Sequence, residues 1–212
     1  MRKLVTFFFP AFIVLLLSSG CASSYRKINP EQLKYHNSSN EDNIHVAYRY
    51  DVLASNRNKK NAKKERKNGI NVIALQVTNN TPNAISIGDN AQLFIGDNPA
   101  LIMEPQEAML SLRQNVPIYL LYGLLTLLRL DITRDEGRRT QTTDSYPIGL
   151  VIGPAVTAGN MIMAGSSNKS LKNNLIQQYI FGKEIPPGAT LSGLVCTRNM
   201  GYGPLRILLN ED

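Results

Sequence analysis

The sequence is poor in the residues that do chemistry. It has two histidines and two cysteines in 212 residues. His36 lies in a polar stretch and His45 on one face of an alternating segment, and neither H-E-x-x-H nor G-x-S-x-G occurs. Ser24-Tyr25-Arg26-Lys27 and Ser166-Ser167-Asn168-Lys169 match S-x-x-K by spacing, without the companion motifs of those serine enzymes. Asp89 and Asp97 stand in turns that lack the alternating oxygen ligands of a calcium loop. Asp51 and Asp131 form a carboxylate pair only if folding brings them together. These absences argue against an enzyme and leave no metal set and no cofactor to expect.

What is present begins at the N-terminus. Arg2 and Lys3 precede an apolar run, Leu4 to Leu17, interrupted by Thr6 and Pro10 and followed by Ser18, Ser19, Gly20 and Cys21. A short positive region, an apolar stretch too short for a comfortable span and then small residues make the layout of a cleaved export signal. Ser19-Gly20-Cys21 resembles the lipobox of bacterial lipoproteins, with Ser18 where that motif most often has leucine. The resemblance implies that residues 1–20 are a signal peptide and that Cys21 becomes the mature N-terminus. There it carries a diacylglycerol thioether and usually an acyl group on its amine. Buried acyl chains contribute about 0.8 kcal/mol per methylene, so two or more hold firmly to a membrane. Ala22-Ser23-Ser24 lacks the aspartate of an inner-membrane retention signal, so the periplasmic face of the outer membrane is expected. With Cys21 lipidated, Cys196 has no disulfide partner within the chain; in Leu194-Val195-Cys196 it reads as a small buried hydrophobe.

The formal charge of +7 is local. Arg2 and Lys3 leave with the signal. Between Ala54 and Asn68, Arg57, Lys59, Lys60, Lys63, Lys64, Arg66 and Lys67 face one acid, Glu65, and the rest of the mature chain is near neutral. This stretch reads as a solvated basic loop and as a candidate site for anionic lipid headgroups. It has no aromatic on which a base would stack, so nucleic acid is not an expected partner.

Residues 21–43, polar and without periodicity, read as the lipidated N-terminus and a flexible tether. Ile44–Leu53 alternates as a strand with one buried face, and Ile70–Thr78 is apolar on both faces, as in a sheet interior. Short strands follow at Ala84–Ile87 and Gln92–Ile95, each ending in Ile-Gly-Asp-Asn, and strand-like residues return at Thr190–Thr197 and Leu205–Leu209. Between them lie two apolar runs, Val116–Leu128 and Ile148–Gly165, separated by a charged loop and followed by an amphipathic helix, Ser167–Phe181. The expectation is an α+β chain in which an immunoglobulin-like β-sandwich, 44–104 and 183–212, is interrupted by a long helical-hairpin insert, 105–182.

As helices the runs reach about 20 and 27 Å, short of a hydrocarbon core of about 30 Å. Burial against the sandwich is the favoured destination, ahead of a hairpin dipping into the bilayer beside the lipid and a groove for an apolar ligand. Asn160 and Thr157 within the second run favour protein partners over bare lipid. Gly149, Gly153 and Gly159 are candidate helix-packing positions. The chain reads as a non-catalytic, lipid-anchored cell-envelope protein acting in binding or assembly. Its membrane contact is the lipid on Cys21, and a protein of the envelope is its further partner. The alternatives are an oligomerising embedded hairpin and a carrier of an apolar ligand or lipid.

Overall fold

The computed structural model describes residues 21–136, 139–198 and 201–210, and the signal stretch lies outside them. The chain is mixed α+β, and its described residues divide into two compact units: those of 25–113 with those of 168–210, and those of 21–24 with those of 114–167.

The first unit is built on β3 (Ile70–Asn79), which is central in the antiparallel sheet β1-β2-β3-β11-β7. The other strands are β1 (Asn37–Glu41), β2 (Ile44–Arg49), β7 (Ile102–Met103) and β11 (Thr190–Arg198). The period of two in β3 sends Ile73, Leu75 and Val77 to one face and Val72 and Ala74 to the other, and all five are buried. The first face shares a core with Ile44, Val46 and Tyr48 of β2 and with Leu93, Ile95, Leu205 and Ile207. Those last four come from a three-stranded sheet, β12-β5-β6, made of β5 (Ala91–Ile95), β6 (Asn98–Pro99) and β12 (Leu205–Leu209). A short pair, β4 (Ile85–Ser86) with β10 (Glu184–Ile185), closes one end.

Helices cover the second face of β3: α1 (Lys59–Asn68), α2 (Pro105–Leu112) and, through Leu171 and Leu175, the last turns of α3 (Gly149–Gln177). Tyr25 and Ile28 complete this core, Ile28 at 2% exposure. Residues 25–41 are therefore folded chain rather than the tether expected. The buried Asn174 amide takes the Ile28 N–H at 2.7 Å and the Tyr25 hydroxyl at 2.8 Å and donates to the Ile28 carbonyl at 2.9 Å. Two isolated apolar residues in a polar stretch carry no periodicity, which is why the sequence pattern misses them.

The turns explain themselves chemically. The fully buried Asn79 donates to the carbonyls of Asn83 and Ile185 and accepts from the Thr81 N–H and hydroxyl, fixing the Asn-Asn-Thr-Pro-Asn turn. In the first Ile-Gly-Asp-Asn turn, Asn90 accepts the Ser86 N–H at 2.7 Å and Gly88 has φ +109° with the Phe181 ring where a Cβ would go. In the second, Arg206 binds both the Gly96 carbonyl and Asp97.

Among the described residues of the second unit, the two apolar runs do not pair as the expected helical hairpin. Val116–Leu127 is a 3-10 helix, the charged loop is a β-hairpin of β8 (Leu130–Glu136) and β9 (Arg139–Tyr146), and the second run merges with the amphipathic stretch into α3, 29 residues long. Pro154 lies inside α3.

Ile28→Ala tests the correction at the N-terminal segment. Loss of a fully buried isoleucine side chain lowers the unfolding free energy by about 2–4 kcal/mol, measured from urea midpoints; an unchanged midpoint would restore the tether.

Candidate functional site

Cys21 is exposed, and the residues behind it are gripped within the second unit. The Ala22 N–H donates to Asn160 Oδ1 at 2.5 Å. Gln114 makes a two-sided bond to Ser23, accepting its N–H at 3.2 Å and donating to its carbonyl at 2.6 Å. The same buried amide donates to Ser167 Oγ at 2.8 Å and accepts the Tyr119 hydroxyl at 3.3 Å. Tyr119 stacks on Tyr122, ring centroids 6.1 Å apart, and burial raises the phenol of Tyr122, which neighbours Cys21. Cys21 is thus held beside the 3-10 helix by side chains that use their hydrogen-bonding capacity on backbone.

Much of the surface of this unit is apolar. A 3-10 helix repeats every three residues, and runs beyond three or four residues are uncommon. Here the repeat lines up Ile118, Leu121, Leu124 and Leu127 on one edge, at 54, 64, 67 and 78% exposure. The first half of α3 adds Leu150, Val151 and Ile162, at 64, 75 and 72%. Of the 19 large hydrophobic residues that are exposed among those described, 14 lie between Ile118 and Met163. The favoured expectation, that both runs are buried against the sandwich, is therefore overturned: only one stripe of α3, Gly149, Gly153, Asn160, Ala164 and Ser167, is covered in this unit. By length and composition α3 is apolar enough to cross a membrane, with 22% of its most apolar 18-residue window buried. Its exposed face changes near Gly165, from Leu, Val, Ile and Met to Ser166, Lys169, Asn173 and Gln177.

The two polar residues in the run are satisfied within it. Thr157 donates to the Gly153 carbonyl and Asn160 Nδ2 to the Val156 carbonyl, each at 2.8 Å. Gly149 and Gly153 are close-packing positions inside the chain. A Cβ on Gly153 would stand 2.6 Å from Thr126 N, and one on Gly149 would meet the Leu125 and Thr126 carbonyls. Gly159 has nothing within 4 Å. The structure therefore brings Gly149 and Gly153 together against the 3-10 helix and leaves Gly159 outside that contact.

The basic stretch is a helix rather than the loop expected. α1 buries Asn61, Ala62 and Glu65 and exposes Lys59, Lys63, Arg66 and Lys67, with Arg57 exposed just before it. Its local electrostatics oppose it. Lys59/Lys63, Lys60/Lys64 and Lys63/Lys67 are like charges at i,i+4, each costing about 0.2–0.5 kcal/mol, and Lys59 and Lys60 sit at the positive end of the helix dipole. Tertiary contacts hold it instead. Asn61 donates to the Leu112 carbonyl at 3.0 Å, Asn68 to the Ser111 carbonyl at 2.6 Å and Lys64 to the Arg113 carbonyl. Asn58 makes no capping bond from its side chain; it binds the Arg26 N–H at 2.8 Å and carbonyl at 2.9 Å, while Asn56 donates to the Arg26 and Lys27 carbonyls. Arg26, Lys27 and Arg113 thereby join the basic surface. Their distance in sequence, and the polar surroundings of the first two, hide that grouping.

Other candidates have structural roles. Asp97 pairs with Arg206 at 2.9 Å, Asp89 accepts the Ser86 hydroxyl at 2.5 Å, and the buried Ser167 is the Gln114 partner above. Cys196 is buried, and burial pushes its thiol up to about 12. No group of three or more His, Cys, Asp or Glu side chains comes together among the described residues. No family model, curated protein or solved structure matches this chain.

Glu65 carries a pH dependence. It is 4% exposed; Oε1 accepts the Val72 N–H at 2.8 Å and Oε2 has no partner among the described residues. Burial raises its pKa from 4.5 to about 7, against the lowering effect of the Val72 bond. Below pH 4.5 the group is protonated folded or unfolded. Between pH 4.5 and about 7 the unfolded chain loses the proton while the folded chain keeps it, so stability falls across that window and levels off above it. The loss is of order 3 kcal/mol. Glu65→Gln should flatten the unfolding free energy between pH 5 and pH 8 relative to the native chain, and equal slopes in the two proteins would remove Glu65 as the cause.

Proposed function

We propose that this chain is a bacterial lipoprotein of the cell envelope, anchored through Cys21 on the periplasmic face of the outer membrane. Its second unit seats an apolar surface in the leaflet that receives the lipid. The observation that carries this reading is that one compact unit both grips the two residues after Cys21 and exposes the leucine edge of the 3-10 helix and the apolar half of α3. Apolar exposure concentrated in one unit in this way marks a membrane or protein contact. A lipidated cysteine in the same unit selects the membrane, because every acyl methylene and every exposed leucine then gains from the same burial.

The first unit we read as a two-sheet sandwich, β1-β2-β3-β11-β7 over β12-β5-β6, of the immunoglobulin-like kind that serves binding and assembly in the envelope. The shared core of the two sheets and their antiparallel pairing support it. Ser86, Asp89 and Asp97 are committed to turns and strand contacts, which favours a non-catalytic role. The intrachain packing of Gly149 and Gly153 argues against a hairpin that oligomerises through those glycines.

Mass spectrometry of protein purified from membranes tests the anchor. The expected N-terminal peptide begins at Cys21 and carries acyl mass, and Cys21→Ser lacks that mass. A native chain that keeps residues 1–20 without added mass contradicts the reading.

A further inference from the structure

We infer that the outer face of α1, extended by Arg26, Lys27 and Arg113, is a binding surface for the phosphate headgroups of anionic lipids. The inference rests on the lipid-anchored reading of Cys21.

Three observations carry it. First, folding concentrates the charge. Glu65, the one acid in the stretch, is turned into the core with its Oε1 on the Val72 N–H, so the outer face of α1 is left to cations. Asn56 and Asn58 then hold the backbone of Arg26 and Lys27 beside Arg57, and Lys64 reaches Arg113 at the other end. None of the three ion pairs among the described residues uses Lys59, Lys63, Lys64, Arg66 or Lys67. Burial, Arg113 and Lys67 all lower the Lys64 pKa, as expected of cations that repel one another.

Second, the arrangement works against the helix that bears it. Like charges recur at i,i+4, cations occupy the first turn, and the Asn58 side chain, at the N-cap position, is committed to Arg26 instead of the helix. A surface of negative phosphates offsets these costs, because each cation and the helix N-terminus gain an opposite charge. Water screens them without removing them.

Third, the chain itself limits how far this surface can be from a bilayer. Arg26 is five residues beyond Cys21, and five residues span at most about 18 Å. An anionic leaflet attracts cations within about a Debye length, roughly 8–10 Å, so this bound of about two Debye lengths keeps Arg26 and its neighbours close to that zone. A phosphate-bearing lipid is favoured over a soluble acidic polymer because the anchor supplies the leaflet at high effective concentration.

The test measures lysine acetylation rates by mass spectrometry on the full native chain, added to vesicles of phosphatidylcholine alone or with phosphatidylglycerol. Lys59, Lys63 and Lys67 should react about tenfold more slowly on the anionic vesicles, with Lys169 and Lys183 unchanged, and the protection should fade as salt is raised. Equal rates at Lys59, Lys63 and Lys67 on both vesicles overturn the inference. So does protection by a soluble polyanion with none by anionic vesicles. Flotation with phosphatidylcholine vesicles reads the anchor separately: loss of flotation with protection retained on anionic vesicles would remove the lipid-anchored reading and leave the headgroup surface standing.

Discussion

One carboxamide organises the second unit. Gln114 is buried, and its two donors and two acceptor sites meet the Ser23 carbonyl, the Ser167 hydroxyl, the Ser23 N–H and the Tyr119 hydroxyl. It ties the segment behind Cys21 to the 3-10 helix and to α3 in one network. A buried amide left with any of these bonds unmade carries a desolvation penalty, so the three segments hold together or separate together. The position of Cys21 within this unit follows from that network, with Asn160 fixing Ala22 next to it.

The same unit shows how one helix serves two environments. The covered stripe of α3 keeps its spacing from Gly149 to Leu175 while the opposite side changes from aliphatic to polar near Gly165. A helix with aliphatic side chains exposed over its first half has an unfavourable surface in water, and the cost grows with each exposed leucine, valine and isoleucine. The 3-10 helix repeats the pattern, with four aliphatic residues on one exposed edge. Both surfaces are consistent when the apolar half faces lipid and the polar half faces water. The basic face of α1 belongs to the same logic: it too is costly in water and favourable near anionic lipid.

The sheet unit was largely legible in the sequence because strand alternation is a local signal. Ile44, Val46 and Tyr48 announce one buried face, and the two-sided apolar pattern of Ile70–Thr78 announces a central strand. The N-terminal segment was not legible, since Tyr25 and Ile28 are buried through long-range contact with Asn174 and the helices rather than through any repeat. The basic helix escaped for a related reason. Its charges oppose helix formation locally, and what stabilises it, the contacts of Asn61, Ala62 and Glu65, comes from distant chain. The apolar runs were visible as composition, but their environment was not. Periodicity distinguishes a buried face from an exposed one only when the exposed face is polar, and here it is not.

The central claim is that the leucine edge of the unit that bears Cys21 sits in lipid, and a polarity-sensitive fluorophore on Leu124→Cys tests it most directly. The buried Cys196 thiol is pushed up to about 12, so with Cys21 lipidated as proposed the introduced cysteine is the labelled position. Attached to vesicles, the label at residue 124 should shift to the blue while the same label on Lys169→Cys keeps its aqueous emission. Aqueous emission at residue 124 on membrane-bound protein would contradict the account.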